Sequence, residues 1–142
     1  MKKQLLVTMF ISSSVFTASS LADSGYLGVD SFLDGSQGSI QYGFDFTADK
    51  TLRFGYELAY TQHTEDVRSF GLNMKPTFPI GTIYLTPILG YHKFNDGLGA
   101  HLVYGFEIGQ NLGLFDVRAG YKQANTEFDG NGNVYLGAAL RF

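Results

Sequence analysis

Val134-Tyr135-Leu136-Gly137-Ala138-Ala139-Leu140-Arg141-Phe142 alternates without a break. Val134, Leu136, Ala138, Leu140 and Phe142 fall on one face; Tyr135, Gly137, Ala139 and Arg141 fall on the other. A period of two is the geometry of an extended strand. A terminus in water normally frays and has no use for a bare aromatic. A strand whose outer face meets hydrocarbon, with rings at its rim, does need one. The stretch predicts the closing strand of a membrane barrel.

Working back from it, the same alternation sorts the chain into seven further segments. They lie around Tyr26 to Leu33, Ser39 to Phe46, Leu52 to Tyr60, Ser69 to Phe78, Thr82 to His92, His101 to Gly109 and Phe115 to Lys122. In each, one face is apolar and rich in rings, while the other carries the charges and most glycines. Ile40, Tyr42, Phe44 and Phe46 against Ser39, Gln41, Gly43 and Asp45 is the cleanest case. A soluble sandwich would bury the apolar face. Three features favour the opposite arrangement: rings on the apolar face of nearly every strand, close-set glycines and alanines on the charged face, and the aromatic last residue.

Eight strands of about ten residues with connections of about five use roughly the available chain. Fewer would not close around an interior. The expected fold is all-β, an eight-stranded antiparallel up-and-down transmembrane β-barrel. Short turns are expected at 47–50, 79–81 and 110–114, and external loops at 34–38, 62–67, 94–100 and 124–133.

Residues 1–22 read as a secretory signal peptide cut after Ala22. Lys2 and Lys3 precede a short apolar run, and Ser20-Leu21-Ala22 supplies the small residues of a cleavage site. That run is too short to span a bilayer, which takes roughly 20 apolar residues. The barrel domain would then be 23–142, exported to the cell outer membrane. Without Lys2 and Lys3 the formal charge of −3 becomes −5, an unfavourable balance for binding nucleic acid. The chain has no cysteine, so disulfides and thiolate metal sites are excluded.

The charged face contains Asp30, Asp45, Glu57, Glu107 and Asp116 against Arg53, Lys75, Arg118, Lys122 and Arg141. Five against five suits a filled lumen, because an unpaired charge in a low-dielectric interior is costly. These ten residues are expected to form a polar core rather than a conduction path. Two outward cations, Arg68 and Lys93, fall at the external strand ends, where contact with lipopolysaccharide phosphates costs little.

Signals for chemistry are weak. His92 and His101 face inward on adjacent strands, but a third metal ligand is missing from the pattern. Asp129-Gly-Asn-Gly-Asn133 starts like a calcium loop, yet Leu140 occupies the place of its bidentate glutamate, so a flexible turn is the better reading. His101-Leu-Val-Tyr104 lacks the His-x-Ser-Asn type cluster of the lipid A deacylase barrels. No cofactor, no metal and no enzymatic activity are expected.

In its closing strand the spacing Tyr135-x-Gly137-x-x-Leu140-x-Phe142 resembles the C-terminal signal read by the outer-membrane assembly machinery, with Leu140 where an aromatic is commoner. In architecture, residues 23–142 resemble the small eight-stranded outer-membrane barrels of the OmpX and OmpA transmembrane-domain type. The resemblance implies a monomeric surface protein without cofactors, partnered by outer-membrane lipid and lipopolysaccharide. It implies a structural, adhesive or defensive role. Short loops favour envelope integrity; acidic loops leave surface interaction as the alternative, with an outer-membrane lipid enzyme a distant third.

Overall fold

The computed structural model describes residues 24–33, 37–63, 66–95, 97, 99–125 and 133–142. The expected signal peptide and Asp129 to Gly132 of the calcium-like stretch lie outside them.

Eight strands run in chain order: β1 (Ser24–Phe32), β2 (Gly38–Thr47), β3 (Arg53–Gln62), β4 (Arg68–Ile80), β5 (Ile83–Phe94), β6 (Gly99–Asn111), β7 (Phe115–Ala124) and β8 (Asn133–Arg141). Each pairs antiparallel with its neighbour, and β8 returns to β1, so the sheet is a closed eight-stranded barrel. Closure removes the open edges that would leave backbone groups unpaired in lipid. The last residue completes the seam. Phe142 and Gly25 exchange both backbone hydrogen bonds at 3.0 Å, and the Phe142 ring lies nearly parallel to Tyr42, 6.3 Å away.

Three strands outrun the expected ten residues. β4 and β6 have 13 and β5 has 12. Asn95 explains part of the extension, because it prolongs the β4–β5 ladder by accepting from Arg68 N and donating to Arg68 O and Asp66 O. At the other end β4 and β5 continue to Ile80 and Ile83, leaving Gly81 and Thr82 as the turn. Gly81 has φ +65°, as the first central residue of a two-residue hairpin requires. The β2–β3 turn is built differently. Asp49 accepts from Thr51 Oγ1, Thr51 N and Leu52 N, and these bonds hold its carboxyl below the ordinary carboxylate pKa.

The barrel is inside-out. Among the described residues 27 large apolar side chains are exposed, whereas only 11 hydrophobic residues are buried, three of them alanines and four tyrosines. Seventeen polar or charged residues are buried instead. The outer face carries tyrosine and phenylalanine in contact, as in the Phe44, Phe46 and Tyr56 cluster and the Phe106–Tyr121 pair. A soluble sandwich would have the reverse distribution. This is the surface of a transmembrane barrel.

The lumen is narrow, and the register makes room in it. Tyr26 pairs with Gly43, Tyr84 with Gly109 and Tyr135 with Gly120, each pair on neighbouring strands. A Cβ on any of these three glycines would overlap the ring opposite. The glycines are seats for the rings that fill the barrel. Replacing Gly43 or Gly120 by valine should therefore cost about 1–3 kcal/mol of folded stability through overpacking. Leu89→Ile on the outer face should stay within about 0.5 kcal/mol. Urea midpoints of refolded protein check this, and equal midpoints for the inner and outer variants would contradict it.

Candidate functional site: a plugged polar lumen

Six charges meet at mid-barrel. Lys75 on β4 lies between Glu57 on β3, 3.0 Å away, and Glu107 on β6, 3.1 Å away. Arg118 on β7 reaches Asp30 on β1 at 2.9 Å, with Glu57 at 3.6 Å and Glu107 at 3.7 Å. Lys122, further along the same face of β7, pairs with Asp30 at 3.0 Å. Three acids and three bases make this cluster neutral.

Neutral groups fill its remaining hydrogen-bonding positions. Tyr26 donates its hydroxyl to Glu57 and Tyr135 to Glu107, both at 2.7 Å. Asn73 donates to Glu57 at 2.9 Å, and Gln41 donates to Asp30 while accepting from Arg118 at 2.7 Å. Glu57 is 0% exposed and meets side chains from β1, β4 and β7. A buried carboxylate is tolerable only on these terms, with its lone pairs occupied and cations at hand.

A second cluster closes the end of the lumen near the chain terminus. Arg141 on β8 contacts Asp45 on β2 at 2.8 Å and Asp116 on β7 through Nε. Arg53, expected in the interior network, lies apart. Among the described residues it enters no ion pair, and its buried Nε has no hydrogen-bond partner. Its place at the first position of β3 puts it at the end of the lumen rather than in the plug.

Toward the loop end a hydrogen-bonded chain runs upward from the plug. Asn73 gives its amide hydrogen to Glu57, so its oxygen faces His92 Nε2 at 2.7 Å. His92 must therefore carry its proton on Nε2, which leaves Nδ1 to accept from the Ser69 hydroxyl at 3.3 Å. Ser69 in turn meets His63 Nε2 at 2.8 Å. Above this chain Phe94, Val103 and Ala124 form a small apolar cap, with Val67 packed on it. The rings of His63 and His101 flank Phe94 at 5.0 and 5.9 Å.

His92 and His101 are paired in register, as the alternation implied. Both nitrogens of His92 are engaged, by Asn73 and Ser69. Among the described residues no group of three or more histidines and acids is placed to hold a metal ion. Among the described residues two small cavities, about 20 Å³ toward the loops and about 10 Å³ beside Asp45 and Asp116, lie on either side of the plug. Such volumes hold a water or two rather than a substrate.

The remaining sequence-predicted residues fall elsewhere. Of the four in the closing-strand motif, Tyr135 and Gly137 face the lumen, and Leu140 and Phe142 face outward. Arg68 and Lys93 lie on the outer face at the loop end of β4 and β5. Lys93 stands opposite Phe70, whose exposed ring continues the apolar belt.

Comparison with solved structures places this geometry. The outer-membrane protein Ail of Yersinia pestis in a phospholipid nanodisc aligns with a TM-score of 0.61 at 17% identity, covering 84% of this chain and 97% of Ail. The fold is that of the small eight-stranded transmembrane barrels. A de novo designed transmembrane β-barrel aligns with a TM-score of 0.59 at 10% identity, covering 84% and 93% of the two chains. The Ail crystal structure with the heparin analogue sucrose octasulfate aligns at 0.55 and 19% identity, covering 84% and 96%. No protein-family model and no curated protein sequence matches the chain.

Sequence reasoning missed how the neutral side chains Tyr26, Gln41, Asn73 and Tyr135 complete the plug, and it missed the Ser69–His63 pair above it. The inward parity of Gln41, Asn73 and Tyr135 was visible, but only the register brings them to the carboxylates. The plug makes two stability predictions. Glu57→Ala leaves the cluster with three bases and two acids and should cost about 3–5 kcal/mol. Arg53→Ala breaks no ion pair seen among the described residues and should cost under about 1 kcal/mol. Urea unfolding in lipid separates the two, and equal losses would show that the charges do not form a discrete cluster.

Proposed function

We propose that the protein is a small integral outer-membrane barrel whose role is structural, contributing to envelope integrity, and that it neither conducts nor catalyses. The observation that carries this reading is the neutral six-charge layer at mid-barrel, which interrupts the lumen between two water-sized cavities. A channel needs a continuous wet path, and an eight-stranded barrel is only wide enough for its own side chains. The apolar outer face supplies the complementary half of the argument, since its exposed leucines, isoleucines and rings require a lipid partner.

Export through a cleaved signal peptide at 1–22 fits this location. Recognition of Leu140 and Phe142 by the assembly machinery fits it as well, because Phe142 also holds the β1–β8 seam through its backbone bonds to Gly25. Arg68 and Lys93, cations above an aromatic and aliphatic belt, suit the phosphates of lipopolysaccharide. The chain acts as a monomer in this reading, because its closed sheet leaves no edge strand for a second copy.

A surface-interaction role is the second reading, favoured by the likeness to Ail, an attachment and invasion locus protein solved with a sulfated sugar. The charge argues for a different ligand here. A barrel of formal charge −5 after signal removal, with Asp66 exposed at the loop end, would repel a polysulfate.

In planar bilayers the refolded protein should give no steady conductance, and cells lacking it should become more permeable to bulky antibiotics. Stable single-channel currents shifted in ion preference by Glu57→Gln would sink the plug. Deleting Phe142 should lower outer-membrane abundance several-fold without changing secretion; unchanged abundance would remove the seam and the signal from the argument together.

A further inference from the structure

Three hairpins close the end of the barrel that holds the chain terminus, and they differ in chemistry. The β2–β3 turn is Ala48-Asp49-Lys50-Thr51, exposed throughout and organised by the Asp49 carboxylate. The β4–β5 turn is flanked by Ile80, 57% exposed, and Ile83. The β6–β7 turn carries Leu112 and Leu114, 58% and 68% exposed, followed by Phe115.

Hairpin turns that face water are ordinarily built from Gly, Asn, Asp, Ser and Pro. Two leucines astride Gly113 serve no need of the turn itself. Gly113 supplies the positive φ of +96°, and Asn111 Oδ1 accepts from its N–H. The apolar residues are also not covered by the rest of the described chain, since Leu114 is the most open of the large apolar side chains described. On β4, β5 and β7 they continue the outer belt, while on β6 the exposed Gln110 stands between Ile108 and Leu112. Ile80 follows Phe78 on the outer face of β4, Ile83 precedes Leu85 on β5, and Phe115 precedes Val117 on β7. All of these belt residues are exposed.

We infer that the β4–β7 side of this rim is immersed in the bilayer, so that the barrel is seated asymmetrically, with the β4–β5 and β6–β7 turns in lipid and the β2–β3 turn in water. The inference rests on the reading of the protein as a membrane barrel and adds which part of its rim the lipid covers. The occupant is the same acyl-chain phase that meets the belt, because the surface is continuous with it along β4, β5 and β7. The opposite sector ends differently: Phe44, Phe46 and Tyr56 form a ring cluster just before the charged Asp49 and Lys50. A cluster of rings followed at once by charges is how an interface is marked.

The chain contains no tryptophan, so single-tryptophan variants report depth directly. Leu114→Trp, Lys50→Trp and Leu89→Trp, each folded into phosphatidylcholine vesicles and checked for heat-modifiable migration, are compared with acyl-brominated lipid and with aqueous iodide as quenchers. Leu89→Trp marks mid-belt. Ile83→Trp replaces Leu114→Trp if the latter does not fold. Leu114→Trp should be quenched by bromolipid at least half as strongly as Leu89→Trp, and Lys50→Trp chiefly by iodide. Iodide quenching of Leu114→Trp and Ile83→Trp at the level of Lys50→Trp, with Leu89→Trp still lipid-quenched, would overturn the asymmetric seating and leave the barrel intact. Loss of lipid quenching at Leu89→Trp would overturn the barrel reading itself.

Discussion

The width of the lumen governs everything else in this molecule. Closing eight strands leaves an interior that side chains can just fill, and this chain fills it with large polar groups rather than small apolar ones. A tyrosine ring projecting inward would collide with a Cβ on the strand beside it. The collision is avoided because Tyr26, Tyr84 and Tyr135 each face a glycine across the ladder. Asp30 opposite Gly137 and Asn73 opposite Gly90 follow the same rule. Glycine in a strand is entropically unfavourable, so its repeated use here has a spatial cause: each one makes a volume that its partner occupies.

That geometry determines the electrostatics. A lumen packed by side chains has little water, so each charge needs its counterion and its hydrogen-bond donors inside the protein. Three acids and three bases meet this demand at mid-barrel, and four neutral side chains, Tyr26, Gln41, Asn73 and Tyr135, complete the coordination. The demand relaxes toward the barrel end. Arg141 serves both Asp45 and Asp116 there, and Arg53 stands without an ion pair among the described residues. The tautomer of His92 is fixed by the same logic carried one step further. The Glu57 carboxylate orients Asn73, Asn73 orients the imidazole, and the imidazole orients Ser69.

The fold was legible because a period of two is a one-dimensional signal. Ile40 to Phe46 reads as a two-faced strand without knowledge of its neighbours, and eight such segments leave few topologies open. Strand ends were less legible, since the sequence alone does not show that Asn95 will bind Arg68 and lengthen the β4–β5 ladder. The interior was legible as a composition but not as an arrangement. Parity places Arg53 and Arg118 on the same inner face. Only the stagger of the closed sheet decides that Arg118 reaches Asp30 while Arg53 pairs with none of the described acids. The functional reading inherits this division: the partner phase of the outer face is written in the alternation, while a binding partner for the loops is not.

The plug and the seam are one event energetically. Arg118 and Lys122 on β7 bond to Asp30 on β1, and Arg141 on β8 bonds to Asp45 on β2, across sequence separations of 88, 92 and 96 residues. None of these bonds exists while the sheet is open, because β7 and β8 approach β1 and β2 only when the barrel closes. Contacts so distant in sequence carry their loop-closure entropy before any of them is rewarded. An open sheet would hold Asp30 without its cations and Glu57 without those of β7. The pairs that join β7 and β8 to β1 and β2 therefore stabilise the closed barrel relative to every partly closed form. A hydrophobic filling could make most of its contacts with adjacent strands alone. Here the pairs at the centre span the lumen, so the interior specifies closure, and the β1–β8 seam held by Gly25 and Phe142 is its consequence as much as its cause.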